Sequence, residues 1–221
     1  MTQVWDAYWE GQQMEVPSFE PAYAFVVEQV VKVFGALRDL RVVELGAGRG
    51  DISFLLAKAG ARVTLVDSSE TALRQARMIF EEAGVMADFL LADLFETELS
   101  IPFDVAMSFG LVEHFIGQER RRLFEMHRAG RIAFIAVPNA LCIPYRLWKA
   151  TKEATNSWPY GREVPFMENE LRRDMQTWFG NVRVFTTPLS FNLIRKLGIG
   201  AQFRLPLDSK FGYQLVGCGT S

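Results

Sequence analysis

The sequence predicts an α/β fold in which a mostly parallel sheet carries helices on both faces. Short apolar runs rich in β-branched residues alternate along the chain with segments whose apolar residues recur at helical spacing. The first run, 41–45, passes directly into a glycine-rich loop and then into a helical segment. A second run, 62–66, ends at an aspartate, Asp67. Folds of this type bind ligands at the carboxyl ends of their strands, so the glycine loop marks the expected site.

The composition indicates one ordinary globular domain of 221 residues. A formal net charge of −2 provides no basic field that would attract nucleic acid. Cys142 and Cys218 lie far apart and form no C-x-x-C pair, so neither a metal site nor a disulfide framework is indicated. A reducing, cytoplasmic setting is therefore expected. The N-terminus lacks the order of a signal peptide, and the apolar run 132–137 is too short to span a bilayer, so no membrane association is expected.

Residues 1–37 are expected to lie outside the sheet. The first 20 residues are rich in aromatic side chains. A helix is predicted over about 22–37, because its apolar residues recur at helical spacing. The simplest interpretation is a helix that packs against the sheet.

The glycine loop follows the first strand. Gly46, Gly48 and Gly50 let the backbone turn sharply and approach a ligand without an intervening Cβ. The next helix, predicted over 51–59 and ended by Gly60, points free N–H groups at the loop. The core then continues with strands over 62–66, 85–91, 103–108 and 131–137 and helices over 70–83 and 118–127.

The alternation is interrupted over 140–167. This stretch holds several prolines, tryptophans and tyrosines without regular spacing, and irregular stretches of this length are usually functional or mobile. We therefore interpret 141–167 as a substrate insertion with no regular structure. A helix over 168–179, strands over 182–186 and 211–218, and a helical insertion over 189–198 are predicted to complete the chain.

The spacing of the glycines separates two classes of nucleotide-binding protein. A dinucleotide fingerprint, G-x-G-x-x-G, counted from Gly46 would place its third glycine at position 51, which is Asp51. The pattern from Glu44 is instead E-x-G-x-G-x-G, which resembles the first motif of class I S-adenosylmethionine-dependent methyltransferases. The sequence S-F-G-L-V-E-H-F, Ser108 to Phe115, resembles the fourth motif of their small-molecule branch, whose loop ends in Glu-His. The resemblance covers 38–140 well and the remainder only in outline.

The resemblance implies a Rossmann-like sheet of seven strands with an antiparallel last strand. It implies one domain, 1–221, with an N-terminal lid or helix region (1–37), a cofactor-binding core (38–140), the substrate insertion (141–167) and a C-terminal sheet edge (168–221). It also offers a second interpretation of the N-terminus, in which Tyr8 and Trp9 form part of a lid over the ligand. The implied cofactor is S-adenosylmethionine.

Asp67 lies about twenty residues beyond the first glycine, where nucleotide folds place the acid that binds ribose hydroxyls. It also precedes a helix and could serve as its N-cap. By resemblance, Asp93 meets the adenine amino group, the Leu94 N–H meets a ring nitrogen, and Glu44 supports the glycine loop. The full set of expected cofactor contacts is Glu44, Gly46, Gly48, Gly50, Asp67, Ser68, Asp93, Leu94, Ser108, Phe109 and Gly110.

His114 is the candidate catalytic base, since an imidazole pKa near 6.5 suits proton transfer at neutral pH. The alternative is that it only holds the loop or caps the next helix. Glu113 either orients His114 or is solvated. His127, at the end of a predicted helix, is expected to interact with the helix C-terminus.

These features predict a methyltransferase that moves a methyl group to an oxygen or nitrogen atom of a small-molecule acceptor by in-line displacement. RNA or protein methylation and a non-catalytic cofactor-binding subunit remain alternatives. Nucleic acid is a less favoured acceptor for two reasons. The turn Ser108–Leu111 lacks the Pro-Pro pair of enzymes that methylate base amino groups. Enzymes that methylate C5 of cytosine use a Pro-Cys nucleophile, and Cys142 does not follow a proline. No metal is expected, and the sequence does not predict an oligomeric state.

Overall fold

A computed structural model describes residues 2–12, 21–187 and 208–220. Within them, seven strands form one sheet in the order β3-β2-β1-β4-β5-β7-β6. The strands are β1 (Arg41–Leu45), β2 (Arg62–Asp67), β3 (Asp88–Leu91), β4 (Val105–Phe109), β5 (Ile132–Pro138), β6 (Asn181–Thr186) and β7 (Gln214–Thr220). The helices are α1 (Thr2–Glu10), α2 (Pro21–Phe34), α3 (Asp51–Lys58), α4 (Glu70–Glu82), α5 (Gly117–Arg128), α6 (Ile143–Ala154), α7 (Glu168–Gln176) and α8 (Asp208–Phe211).

The sheet is mostly parallel, as predicted. β1 pairs in parallel with both β2 and β4, and β3 and β5 extend the parallel sheet on either side. The last strand, β7, is antiparallel to both β5 and β6, between which it lies. The strand order reverses between β1 and β4, and ligands of doubly wound folds bind at such a reversal.

In the described part of the chain, the buried apolar residues form two clusters, one on each face of the sheet. Val42 and Leu65 belong to the cluster that packs with α3 and α4, whereas Val43 and Val66 belong to the cluster that packs with α5 and α7. This alternation follows from the two-residue period of a strand. A sheet covered on both faces explains why its strands are continuous apolar runs.

One strand boundary is wrong, one helix was missed, and one predicted helix is not tested. The third strand begins at Asp88 rather than 85, because Gly84 ends α4 in a left-handed conformation and the Val85 N–H bonds back to the carbonyl of Phe80. Thr2–Glu10 is a helix that the sequence analysis did not predict. The predicted helical insertion over 189–198 lies outside the described residues.

The largest error concerns 141–167, which was expected to lack regular structure but contains the twelve-residue helix α6. Pro144 lies in the first turn, where its missing N–H breaks no helical hydrogen bond. Tyr145 and Lys149, four residues apart, are the buried positions of the helix. The remainder of the stretch returns to the sheet through a bridge between Phe166 and Asn139.

Glycines in β7 let α7 pack closely on the sheet, and Gly219 gives a testable consequence. A Cβ at this position would lie 2.6 Å from Cγ of Phe179, whose ring is buried. We expect Gly219→Ala to lower the free energy of unfolding by about 1–3 kcal/mol, measured by urea denaturation, because overpacking forces the ring or the backbone to shift.

Gly180→Ala is the matched control, since a Cβ there meets no described atom within 4 Å and the residue is not left-handed. Its effect should stay within about 0.5 kcal/mol. Equal stabilities of the two variants would contradict the packing account.

Candidate active site

A cleft opens at the carboxyl ends of β1, β2 and β4, where the strand order reverses. Its cavity volume is about 240 Å³. Every expected cofactor contact except Ser108 lines this cleft, as does His114. The topology therefore brings together residues from position 44 to position 114, because parallel strands end at the same edge of the sheet.

The glycine loop forms one wall of the cleft. Gly46 and Gly48 both adopt left-handed φ angles, of 62° and 54°. A Cβ at Gly46 would lie 2.6 Å from the Leu111 side chain, and one at Gly48 would lie 2.5 Å from the Trp9 ring. Any other residue would thus be strained in its backbone and would collide with a neighbour that also lines the cleft.

Asp67 holds the glycine loop to the start of α4. Its carboxylate accepts hydrogen bonds from the backbone N–H of Gly48 at 2.7 Å and of Ser69 at 2.8 Å. Burial raises the pKa of Asp67, and these backbone N–H groups oppose the rise. The N-cap of α4 is Ser69, whose hydroxyl accepts from the Ala72 N–H at 3.1 Å. Asp67 is therefore not the helix cap, which leaves its carboxylate at the cleft as the ribose interpretation requires.

Glu44 lies at the floor of the cleft and is only 3% exposed. It accepts a hydrogen bond from the Ser53 hydroxyl of α3 at 2.5 Å. Burial raises its pKa to about 8, and the bond from Ser53 opposes the rise. This hydrogen bond joins β1 to α3, and the expected support of the glycine loop by Glu44, directly or through water, stays a prediction. The sequence analysis did not identify Ser53. The feature that could have indicated it is a single hydroxyl-bearing residue among the apolar residues 52–56 of α3.

Asp93 and Leu94 line the cleft after β3. The Asp93 carboxylate accepts a hydrogen bond from the Phe95 N–H at 2.8 Å, which fixes the turn. Leu94 is buried and packs with the apolar cluster on the α5 face of the sheet.

Ser108 does not line the cleft. It is fully buried, and its hydroxyl donates to Nε2 of His127 at 2.9 Å. Nδ1 of His127 lies 2.6 Å from the Leu123 carbonyl, which can only accept, so Nδ1 carries the proton. Burial lowers the pKa of His127 to about 4. This neutral histidine joins α5 to β4, a role that the sequence analysis did not predict.

His114 lines the cleft from a short 3₁₀ turn, Val112–His114. Its Nδ1 donates to the Arg162 carbonyl at 2.7 Å, so Nε2 is the nitrogen with a free lone pair. Burial lowers the pKa of His114, while the carbonyls of Arg162 and Gly110 oppose the decrease. The imidazole is therefore neutral near pH 7 and can accept a proton.

Glu113 plays neither of the roles expected for it. It is 1% exposed, so it is not solvated. The orienting bond to Nδ1 of His114 comes from the backbone of Arg162 rather than from the Glu113 carboxylate. Burial raises the pKa of Glu113 well above its usual value.

Helix α1 borders the cleft. The rings of Trp5 and Trp9 line it, and the Trp5 ring meets that of His114 edge to face at 5.0 Å. Asp6 accepts from the Ser69 hydroxyl at 2.5 Å, and the Gln75 amide donates to the Trp9 carbonyl at 2.7 Å. Trp9 therefore lines the cleft, whereas Tyr8 is not among its lining residues, and the lid role stays a prediction. The helix expected to pack on the sheet is α2, whose Val26 and Val30 belong to the cluster that packs with α3.

Within the described ranges there is no group of three His, Cys, Asp or Glu side chains that could hold a metal ion. The helices of the same ranges are all too short or too polar to cross a bilayer.

Comparisons with known proteins find similarity to methyltransferases. A family model described as a methyltransferase domain matches residues 42–131. A ubiquinone biosynthesis O-methyltransferase of Bordetella avium is 29% identical over 49% of this chain and 46% of its own length, so the chain spans about half of that relative.

Two solved structures have the same fold. The first comes from work on conversion of a disulfide bond into a thioacetal group during echinomycin biosynthesis. Its TM-score is 0.67 at 22% sequence identity, and the match covers 100% of this chain and 92% of that chain. The second is magnesium protoporphyrin IX methyltransferase from Synechocystis PCC 6803 with bound S-adenosylhomocysteine. Its TM-score is 0.65 at 18% sequence identity, and the match covers 99% of this chain and 94% of that chain.

Proposed function

We propose that this chain is a class I S-adenosylmethionine-dependent methyltransferase and that it moves a methyl group to an oxygen or nitrogen atom of a small-molecule acceptor. The observation that carries the proposal is the convergence of the glycine loop, Asp67, Asp93 and His114 on one cleft. The name of the Bordetella avium relative supports an oxygen acceptor on a small molecule.

The residues of the cleft fit this cofactor. The loop of Gly46 and Gly48 offers a surface that a Cβ would obstruct, and the methionine and ribose portions would lie against it. Asp67 would accept hydrogen bonds from the ribose hydroxyls, and Asp93 and Leu94 would contact the adenine. Phe109 and Gly110 would border the methionine portion, and Glu44 and Ser68 would complete the site.

The bound cofactor supplies a methyl group on a positively charged sulfur. The protein's main contribution is to hold the acceptor atom opposite that sulfur and to exclude water, which can supply about 7–11 kcal/mol of the barrier. Trp5 and Phe115 border the cleft beside His114 and would exclude water there. Nε2 of His114 would take the proton of the acceptor, which adds about 10²–10⁴ in rate.

Binding of S-adenosylhomocysteine tests the cofactor assignment. At a concentration of one hundred times Kd it should raise Tm by about 5–10 °C, and NAD should not. Stabilisation by NAD alone would favour a dehydrogenase and contradict the proposal.

Transfer of labelled methyl from S-adenosylmethionine to a cell extract tests the acceptor class. We expect the label in the small-molecule fraction. Label in RNA or protein would overturn the acceptor class, and label in no fraction would favour a non-catalytic subunit.

A further inference from the structure

Beyond His114 lies a continuous set of aromatic side chains that the proposed cofactor contacts do not use. Trp158 is central to it, with ring centroids of Trp148 and Tyr160 both at 5.0 Å. The Tyr160 ring reaches that of Tyr8 on α1 at 5.1 Å. We call this set the aromatic cluster; its members are Trp5, Tyr8, Tyr145, Trp148, Trp158, Tyr160 and Tyr213.

Two glutamates lie where the aromatic cluster meets the candidate base. The Arg162 carbonyl accepts from His114, and the Val164 N–H donates to the Glu113 carbonyl at 3.0 Å. These two bonds hold residues 162–164 alongside 113–114. Glu163 therefore lies between two anchored residues, and its carboxylate accepts a hydrogen bond from the Tyr145 hydroxyl.

Two buried polar atoms in this region lack a hydrogen-bond partner within residues 2–12, 21–187 and 208–220. One is Oε2 of Glu113, a residue that is 1% exposed, and the other is Nε1 of Trp158. A buried polar atom without a partner is unfavourable, so a ligand donor beside Oε2 of Glu113 and a ligand acceptor beside Nε1 of Trp158 are favoured. The bond from the Val164 N–H to the Glu113 carbonyl, together with the bond from Tyr145 to Glu163, places Glu113 beside the aromatic cluster.

Each of the two glutamates interacts with one basic side chain. Arg120 acts on Glu113 from α5, and Lys149 acts on Glu163 from α6. Lys149 is already paired with Glu153 and lies over the Trp158 ring at 4.5 Å. Burial raises the pKa of Glu113, and the charge of Glu163 adds to the rise while Arg120 opposes it. A cation placed beside the two carboxyl groups would stabilise their charged forms.

We propose that the aromatic cluster together with Glu113 and Glu163 is the acceptor subsite, and that it takes a planar ring carrying a protonated amine. This rests on the proposed function. The ring lies beside His114, and the ammonium group lies against Glu163 and the face of Tyr160. Carboxylates and aromatic faces both attract such a cation. Entry of the ring separates Tyr8 from Tyr160, whose hydroxyl groups are 3.3 Å apart.

Three matched catechols test the subsite by titration of tryptophan fluorescence in saturating S-adenosylhomocysteine. Dopamine carries an ammonium group, 4-ethylcatechol is neutral, and 3,4-dihydroxyphenylacetate carries a carboxylate. We expect dopamine to bind at least about tenfold more tightly than the carboxylate, with the neutral compound between them.

Glu163→Gln should bring the three dissociation constants to within about threefold of one another. Glu168→Gln is the matched control, because Glu168 pairs with Arg172 on α7 outside the subsite, and it should leave the preference unchanged. Equal binding in the unaltered protein, a preference for the carboxylate, or an unchanged preference in Glu163→Gln would overturn the inference. Failure of S-adenosylhomocysteine to raise Tm would overturn the proposed function instead, so the two failures are distinguishable.

Discussion

Asp67→Asn is expected to weaken the binding of S-adenosylhomocysteine by at least about 100-fold. A carboxylate can accept hydrogen bonds from both ribose hydroxyls, and each charge-assisted bond contributes about 1.5–3 kcal/mol. The two carboxylate oxygens also accept from the backbone N–H groups of Gly48 and Ser69. An asparagine keeps one accepting oxygen and turns its N–H₂ group towards the other backbone N–H. One of the two bonds by which Asp67 joins the glycine loop to the start of α4 would therefore be lost.

Isothermal titration calorimetry measures this loss, and Asp39→Asn provides the control. Asp39 is exposed and accepts from Arg62 at 2.6 Å, so its replacement removes the same charge far from the cleft. Cofactor affinity of Asp39→Asn should equal that of the unaltered protein. A dissociation constant for a folded Asp67→Asn protein within about threefold of the original value would remove Asp67 from the ribose role.

Much of the fold was predictable because its information is local. β1 and the glycine loop are contiguous in sequence, and buried parallel strands appear as continuous apolar runs. The position of Asp67 at the end of β2 then follows, since neighbouring parallel strands end at the same edge. In contrast, α6 was missed because its proline and aromatic residues resemble those of a loop. The helical spacing of Tyr145 and Lys149 was the signal that could have identified it.

The second half of the site was less predictable because its contacts are distant in sequence. The group that orients His114 is a backbone carbonyl 48 residues away. Every residue type has a backbone carbonyl, so the sequence does not indicate which one accepts this bond. The two-residue period of a strand could have shown that Ser108 points away from the cleft. Phe109 lines the cleft, so its neighbour in β4 points to the opposite face of the sheet. The pairing of Tyr8 with Tyr160, 152 residues apart, depends on how α1 crosses the cleft.

His114→Asn is expected to lower kcat by about 10²–10⁴ when the acceptor must lose a proton. The asparagine amide can still donate to the Arg162 carbonyl, because its nitrogen occupies nearly the same position as Nδ1. The variant therefore keeps the positioning bond and loses only the basic Nε2. His114→Gln is the complementary change, since it places a polar atom near Nε2 but cannot take up a proton either.

The pH dependence separates a base from a positioning residue. Because the pKa of His114 is lowered from 6.5, kcat of the unaltered protein should be constant near pH 7 and fall in acid with an apparent pKa below 6.5. Both variants should lose this acid limb, while S-adenosylhomocysteine raises their Tm as it does that of the unaltered protein. If His114→Asn retains nearly full turnover, then the bond to Arg162 is the whole contribution of this residue, and proton removal must be assigned to another group or to solvent.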